Sequence, residues 1–152
     1  MPTVKLQDIK KLRELTGAGV MEAKKALLEA KGDQDRAKTL LSKWGMAKAA
    51  EREGKEANEG LVYSYIHAGG RVGAIVKLSC ETDFVARSEE FVKLAKELSL
   101  QVASMMPKDV KELLAQAYIR DPRVKMDDLV KEVAAKVKEK VAVEEIKWMK
   151  VS

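Results

Sequence analysis

The chain holds one cysteine and one histidine in 152 residues. A lone thiol permits no internal disulfide, and one Cys plus one His cannot assemble a zinc site of the usual type. Aromatic residues make up only 5% of the sequence, and no basic run alternates with them. The stacking platform that single-stranded nucleic acid requires is therefore missing. The longest stretch free of Lys, Arg, Asp and Glu is eleven residues, Gly60 to Gly70, whereas a membrane-spanning helix needs about 20 predominantly apolar residues. The opening MPTVKLQDIKKL has no apolar run and carries Asp8, which fits neither a secretion signal nor an acid-poor transit peptide. A cytoplasmic protein without a membrane partner is expected.

What is present is ordinary for a helix-rich globular chain: 46% apolar and 35% charged residues, a balance too hydrophobic for a disordered polymer. The net charge of +5 is spread along the chain and mixed with acids, which favours solvated helix faces over a nucleic-acid interface.

Periodicity divides the chain into two domains. Leu6, Ile9 and Leu12 recur at helical spacing; Thr16-Gly17-Ala18-Gly19 interrupts; and Val20, Ala23, Leu27 and Ala30 begin a second stripe. Gly32 suits the left-handed position past a helix end, Asp33 can cap the next helix, and Ala37, Leu40, Leu41 and Trp44 give the third its apolar side. Residues 1–45 are thus a three-helix domain. Residues 46–59 hold seven charged side chains and little that is large and apolar, and read as a linker with room for some helix. From residue 60 to 152 the pattern is α+β. Strands are expected over 61–67, 71–80 and 142–150, with a glycine turn at Ala68 to Arg71 closing a hairpin. Between them lie a helix starting after Ser88 (Phe91, Leu94, Leu98, Val102, Met105), a short one (Val110, Leu113, Leu114, Ala117) that leads to a turn at Asp121-Pro122, and a third running from Leu129 to Val141. Three strands with helices on one side leave the other sheet face, or an edge, bare, and Trp148 is expected there, which points to a homodimer.

Motif chemistry yields no enzyme. Gly54-Lys55 is followed by Glu56, with Ala49 where a phosphate loop needs its first glycine. Cys80 and His67 lie on opposite arms of the hairpin, over ~20 Å apart at strand spacing, too far for a catalytic pair. The unusual segment is Glu81-Thr82-Asp83-Phe84-Val85-Ala86-Arg87, a turn between an apolar strand and a capped helix. Two readings stand: Phe84 anchors the helix to the sheet, or it is a presented wedge beside a carboxylate, aimed at a partner.

Three segments, LRELTGAGVMEAKKALLEAKGDQDRA (Leu12 to Ala37), YIHAGGRVGAIVKLSCETDFVAR (Tyr65 to Arg87) and IRDPRVKMDDLV (Ile119 to Val130), closely resemble the bacterial elongation factor Ts family. The resemblance implies a three-helix domain like ubiquitin-associated modules and an α+β core with one hairpin subdomain. It implies nucleotide exchange on the GTPase elongation factor Tu, without a cofactor, a metal or direct contact to nucleic acid. The corner Thr82, Asp83, Phe84 and Val85 corresponds to the family segment that enters the GTPase near its magnesium. Arg13, Val20 and Met21 match its N-terminal grip on the same partner. Lys138-Glu139-Lys140 stands where the family usually has Gly-Glu-Asn, and the chain has no room for both the second hairpin subdomain and the helical pair of longer members. The alternative is a binding module that uses the three-helix domain without exchange activity; RNA binding ranks third.

Overall fold

A computed structural model describes residues 3–152, with the side chain of Ala49 left undescribed. It contains helices and antiparallel sheet, an α+β chain, and divides into two compact units, one up to Glu51 and one over Arg52–Ser152.

The first unit is built from α1 (Leu6–Thr16), α2 (Val20–Glu29) and the start of α3 (Gln34–Glu53). Its core is Ile9, Leu12, Ala23, Ala26, Leu27, Ala30 and Ala37, all buried. Four of those seven are alanines, which lets backbones approach closely. Gly17 (φ 72°) ends α1 and Gly32 (φ 87°) follows α2, both in the left-handed region that glycine enters without a Cβ penalty. Asp33 Oδ1 accepts from the Arg36 amide at 3.0 Å, the expected cap. The segment expected as a linker from residue 46 is helical through Glu53. Ala47, Lys48, Ala50, Glu51 and Arg52 are strong helix formers, and a helix already nucleated by packing extends through them at little cost even though they bury nothing large.

In the second unit β1 (Glu59–Ile66), β2 (Val72–Cys80) and β5 (Ala142–Lys150) form one antiparallel sheet in the order β1-β2-β5. Two successive left-handed glycines, Gly69 (φ 87°) and Gly70 (φ 69°), make the hairpin turn. Ala74, Val76, Leu78 and Cys80 alternate along β2 toward one face, where Phe91, Leu94, Leu98 and Val102 of α5 (Glu89–Met105) cover them. At Glu144 an extra residue in β5 bulges the ladder. Its carboxylate accepts from the buried Ser79 hydroxyl at 2.7 Å.

Register corrects the placement of Trp148. It pairs with Ala74, and so lies in the row facing the helices with Tyr65 on the neighbouring strand. Its indole Nε1 donates to the Pro107 carbonyl at 2.9 Å, leaving it 37% exposed. The bare face instead carries Val62, Ile66, Ile75 and Met149.

Two further differences arise between α5 and β5. The short helix α6 (Val110–Ala115) stops before Ala117, which pairs in a small hairpin of β3 (Ala117–Tyr118) and β4 (Asp121–Lys125). Gln101, fully buried on α5, holds that hairpin: its Nε2 donates to Gln116 Oε1 and the Ala117 carbonyl, and its Oε1 accepts from the Ile119 amide. Such a contact has no periodicity, so no apolar pattern announces it. Helix α7 (Met126–Val137) ends when Lys138 turns left-handed (φ 58°), so Val141 is buried in the loop before β5 and not on the helix.

Gly60 sits in β1 at φ 149°, and a Cβ there would meet the Leu78 carbonyl oxygen at 2.0 Å. Gly60→Ala is therefore expected to destabilise the second unit by ~2–4 kcal/mol, through backbone strain plus the clash, read as a lower urea midpoint at unchanged slope.

Candidate functional site

The end of β2 and the start of α5 are joined by one tight corner. Beyond Cys80 the chain leaves the ladder, passes Glu81 and Thr82 in extended conformation, and makes a single helical turn, α4 (Asp83–Ala86). Thr82 caps it: its Oγ1 accepts from the Val85 amide at 3.3 Å. Ser88 then caps α5, accepting from the Phe91 amide at 3.4 Å while donating its own hydroxyl to the Val85 carbonyl at 2.7 Å. Two successive caps leave the corner little freedom.

The four residues singled out in the sequence divide by direction. Val85 is buried with Ala86 against the core. Asp83 is exposed and pairs with Arg87 one turn on, Nη2 to Oδ2 3.0 Å. Phe84 is 79% exposed. The ring therefore does not anchor the helix to the sheet; Val85 and Phe91 do that. Asp83 and Phe84 stand together on the outer side of a corner whose inner side is packed.

A contact from far along the chain closes the corner from behind. Glu139, in the turn between α7 and β5, accepts at Oε1 from the Glu81 amide (3.1 Å) and the Thr82 amide (3.0 Å), and at Oε2 from the Thr82 hydroxyl (2.7 Å). In return Glu81 Oε2 accepts from the Lys140 amide at 2.6 Å. Sequence reasoning noted Lys138-Glu139-Lys140 only as a departure from a pattern. No local signal ties it to a segment 57 positions earlier.

Cys80 is buried beneath this turn, donating from Sγ to the Thr82 carbonyl at 3.1 Å. Burial, with the nearby Glu139 carboxylate, pushes its thiol up to about 11. It pairs with Glu59, at the end of the hairpin opposite His67, which follows the Ile66–Gly73 pair. His67 instead meets the Tyr65 hydroxyl at 3.1 Å. Among the described residues no group of three or more His, Cys, Asp or Glu is placed to hold a metal ion, and no helix is long and apolar enough to cross a membrane.

In the first unit, Arg13, Val20 and Met21 gather at one turn. The Arg13 Nε donates to the Ala18 carbonyl at 3.2 Å, and the Thr16 hydroxyl donates to the Leu12 carbonyl at 2.6 Å while accepting from the Ala18 amide. Val20 and Met21, at the start of α2, are exposed, Met21 by 73%, and Leu15 beside them is exposed as well. Leu15 was not singled out in the sequence, because it continues the three-residue spacing of Leu6, Ile9 and Leu12 and so reads as a core position.

A sequence model described as Elongation factor TS matches residues 81–152, the stretch from the corner to the end of the chain. Elongation factor Ts of Thermoanaerobacter sp. (strain X514) is 38% identical, covering 92% of this chain and 91% of that protein. The protein of the same name from Caldanaerobacter subterraneus subsp. tengcongensis is 37% identical over 92% of each. That of Moorella thermoacetica is 48% identical over 87% of this chain and 58% of its own. The first two comparisons run over 185 residues, more than the 152 present here, so those relatives carry segments this chain lacks.

The buried thiol supplies a test of the corner's packing. Folding holds Cys80 protonated up to about pH 11, against an ordinary value of 9.0. Below pH 9 the thiol is neutral folded or unfolded, and its contribution is fully present. Above pH 9 the unfolded chain loses the proton first, so stability is expected to fall as pH rises toward 11. Urea midpoints at pH 8, 9.5 and 10.5, compared with Cys80→Ser, isolate this slope. At pH 8 the native thiol is expected to resist a disulfide reagent that modifies the unfolded chain at once.

Proposed function

The chain belongs to the elongation factor Ts family, and from that premise we propose that it is a guanine-nucleotide exchange factor that binds the GDP form of elongation factor Tu and promotes GDP release. The observation that carries this reading is the pair Asp83 and Phe84: an exposed aromatic ring beside a carboxylate, on a corner whose other side is packed and hydrogen-bonded. Single exposed apolar residues are ordinary on protein surfaces, but an aromatic ring held beside a carboxylate on a packed corner has the form of a wedge.

The work done is linkage. A factor lowers its partner's affinity for nucleotide only by binding the nucleotide-free state more tightly, and nucleotide must weaken the factor's grip by the same factor. A ring and a carboxylate pushed toward the partner's magnesium disturb the ion that compensates the phosphate charge. Thr82 and Val85 position the corner, one as its cap and the other as its buried foot. No substrate bond is made or broken, so the chain is not an enzyme, and it acts in the cytoplasm without contacting nucleic acid. The N-terminal unit, of the ubiquitin-associated kind, grips the same GTPase through Arg13, Val20 and Met21.

A second copy of the chain covers the bare sheet face. Val62, Ile66, Ile75 and Met149 are exposed there in adjacent rows. The same face carries Lys77, Glu145 and Lys147, with Glu145 and Lys147 paired at 3.5 Å. Both signs are present, so two copies can meet about a two-fold axis without a single-sign field opposing them.

Complete burial of a phenylalanine ring is worth ~1.5–3 kcal/mol. Phe84→Ala is thus expected to slow GDP release ~10- to 100-fold, with the free protein's thermal melting unchanged. Met21→Ala should raise the concentration for half-maximal release and leave the maximum rate alone. If the unaltered chain binds elongation factor Tu, through Met21 among others, yet leaves GDP release at its spontaneous rate, the chain is a binding module and not an exchange factor. Light scattering at micromolar concentration should give twice the chain mass, and Ile75→Lys with Met149→Lys should halve it.

A further inference from the structure

The Phe84 ring is 79% exposed, so its direction in the free protein is set chiefly by the backbone of α4. That helix is four residues long, far below the length at which a helix is stable alone. Its geometry must come from what grips its two ends. At the far end Val85 and Ala86 are buried and Ser88 starts α5. At the near end the chain has left the β1–β2 ladder, so the Glu81 and Thr82 amides have no strand partner, and both are taken by one oxygen of Glu139.

We propose that Glu139 is a positioning residue of the exchange corner: its carboxylate, held across the Glu81 and Thr82 amides and the Thr82 hydroxyl, sets the direction in which Asp83 and Phe84 are presented. The inference rests on the reading of Asp83 and Phe84 as the residues that meet the GTPase. The key atom is Thr82 Oγ1. By donating its one proton to Glu139 Oε2 at 2.7 Å, the hydroxyl is left with its lone pairs for the Val85 amide at 3.3 Å. Glu139 thereby orients the cap that orients the helical turn. Hydrogen bonds to an ionised carboxylate are shorter and stronger than neutral ones, and here they span a junction that has no ladder of its own.

The lever is itself fixed. Lys138 in the left-handed region ends α7 and turns the chain so that Glu139 follows directly. The Lys140 amide donates to Glu81 Oε2 at 2.6 Å, and its Nζ reaches the Glu53 carbonyl at 3.2 Å. Lys55 lies 3.9 Å from the other oxygen of Glu81. The two turns exchange backbone-to-carboxylate bonds in both directions, so neither can shift alone. A displacement of about 1 Å in a positioned group is enough to cost ~100-fold in rate, and beside Glu139 the near side of the corner has the weaker Cys80 thiol bond to the Thr82 carbonyl.

The test is a pair of single variants and their combination, measured as GDP release from elongation factor Tu over a range of factor concentrations. Glu139→Ala is expected to lower the maximum rate ~10-fold or more and to leave the half-saturating concentration unchanged, because Glu139 does not touch the partner. Glu139→Gln keeps an oxygen for the two amides but offers an NH2 where the Thr82 hydroxyl needs an acceptor, so it should recover only part of the rate. In a Phe84→Ala background, Glu139→Ala should cost much less than in the unaltered chain, since of the two groups it positions only Asp83 remains. Cys80 reports the same event in the free protein: Glu139→Ala should speed its modification by a thiol reagent, and Glu139→Gln should not. Should Glu139→Ala fail to fold, Thr82→Val replaces it, cutting the hydroxyl link while sparing both amide bonds, with the same loss of maximum rate expected. Independent, multiplying effects of Phe84→Ala and Glu139→Ala overturn the proposal, as does a Glu139→Ala or Thr82→Val variant with the wild-type maximum. If Phe84→Ala itself leaves exchange unchanged, it is the reading of the corner that fails.

Discussion

Strand β2 is hydrogen-bonded on both edges and covered on one face, and the second unit depends on that arrangement. A central strand cannot slide by one residue without sending Ala74, Val76, Leu78 and Cys80 to the bare side and their polar alternates into the core. Its register is therefore locked by burial, and with it the point at which Cys80 ends the strand. The corner that follows inherits this position. Asp83 and Phe84 occupy their place because three strands and a helix agree on where β2 stops.

Presenting an apolar ring to water is tolerable only where the surroundings cannot collapse onto it. The corner meets that condition by directing Val85 and Ala86 inward and spending the Thr82 and Ser88 hydroxyls on caps. What remains flexible is small, and that matters for a surface proposed to act through binding energy alone. Each side chain or turn ordered on association subtracts from the affinity gained, and a corner ordered beforehand keeps that loss low. The same economy is visible at the Thr16–Gly19 turn, where Arg13 and Thr16 tie the loop next to the exposed Val20 and Met21.

The three helices of the first unit, the three strands and the caps at Asp33 and Ser88 were legible because each rests on a local pattern: period, glycine, or a short polar side chain before an apolar run. The strands lie within two residues of the expected bounds. Trp148 was left between the bare face and an uncovered edge because a strand's phase relative to its neighbour is invisible within the strand; only the pairing with Ala74 assigns its side, on the edge strand β5. The β3–β4 hairpin was missed because two short strands held by the amide of Gln101 leave no hydrophobic trace. The partly helical reading of the segment from residue 46 left the end of α3 open, because charge gives no stripe to follow, whereas alanine, lysine and glutamate continue a helix without needing a core.

The corner divides the same way. Its composition, its cap at Ser88 and its place between strand and helix were all in the sequence, and so was the pairing of an aromatic with a carboxylate. Whether Phe84 faced in or out was not, since a turn has no period to extrapolate. Tertiary structure decided that by giving the inner side to Val85 and by bringing Glu139 to the backbone of Glu81 and Thr82. Local sequence determines which residues can occupy a turn, because conformational preference is a property of neighbours. The direction of that turn depends on hydrogen bonds closed across 57 positions, and only a folded chain can close them.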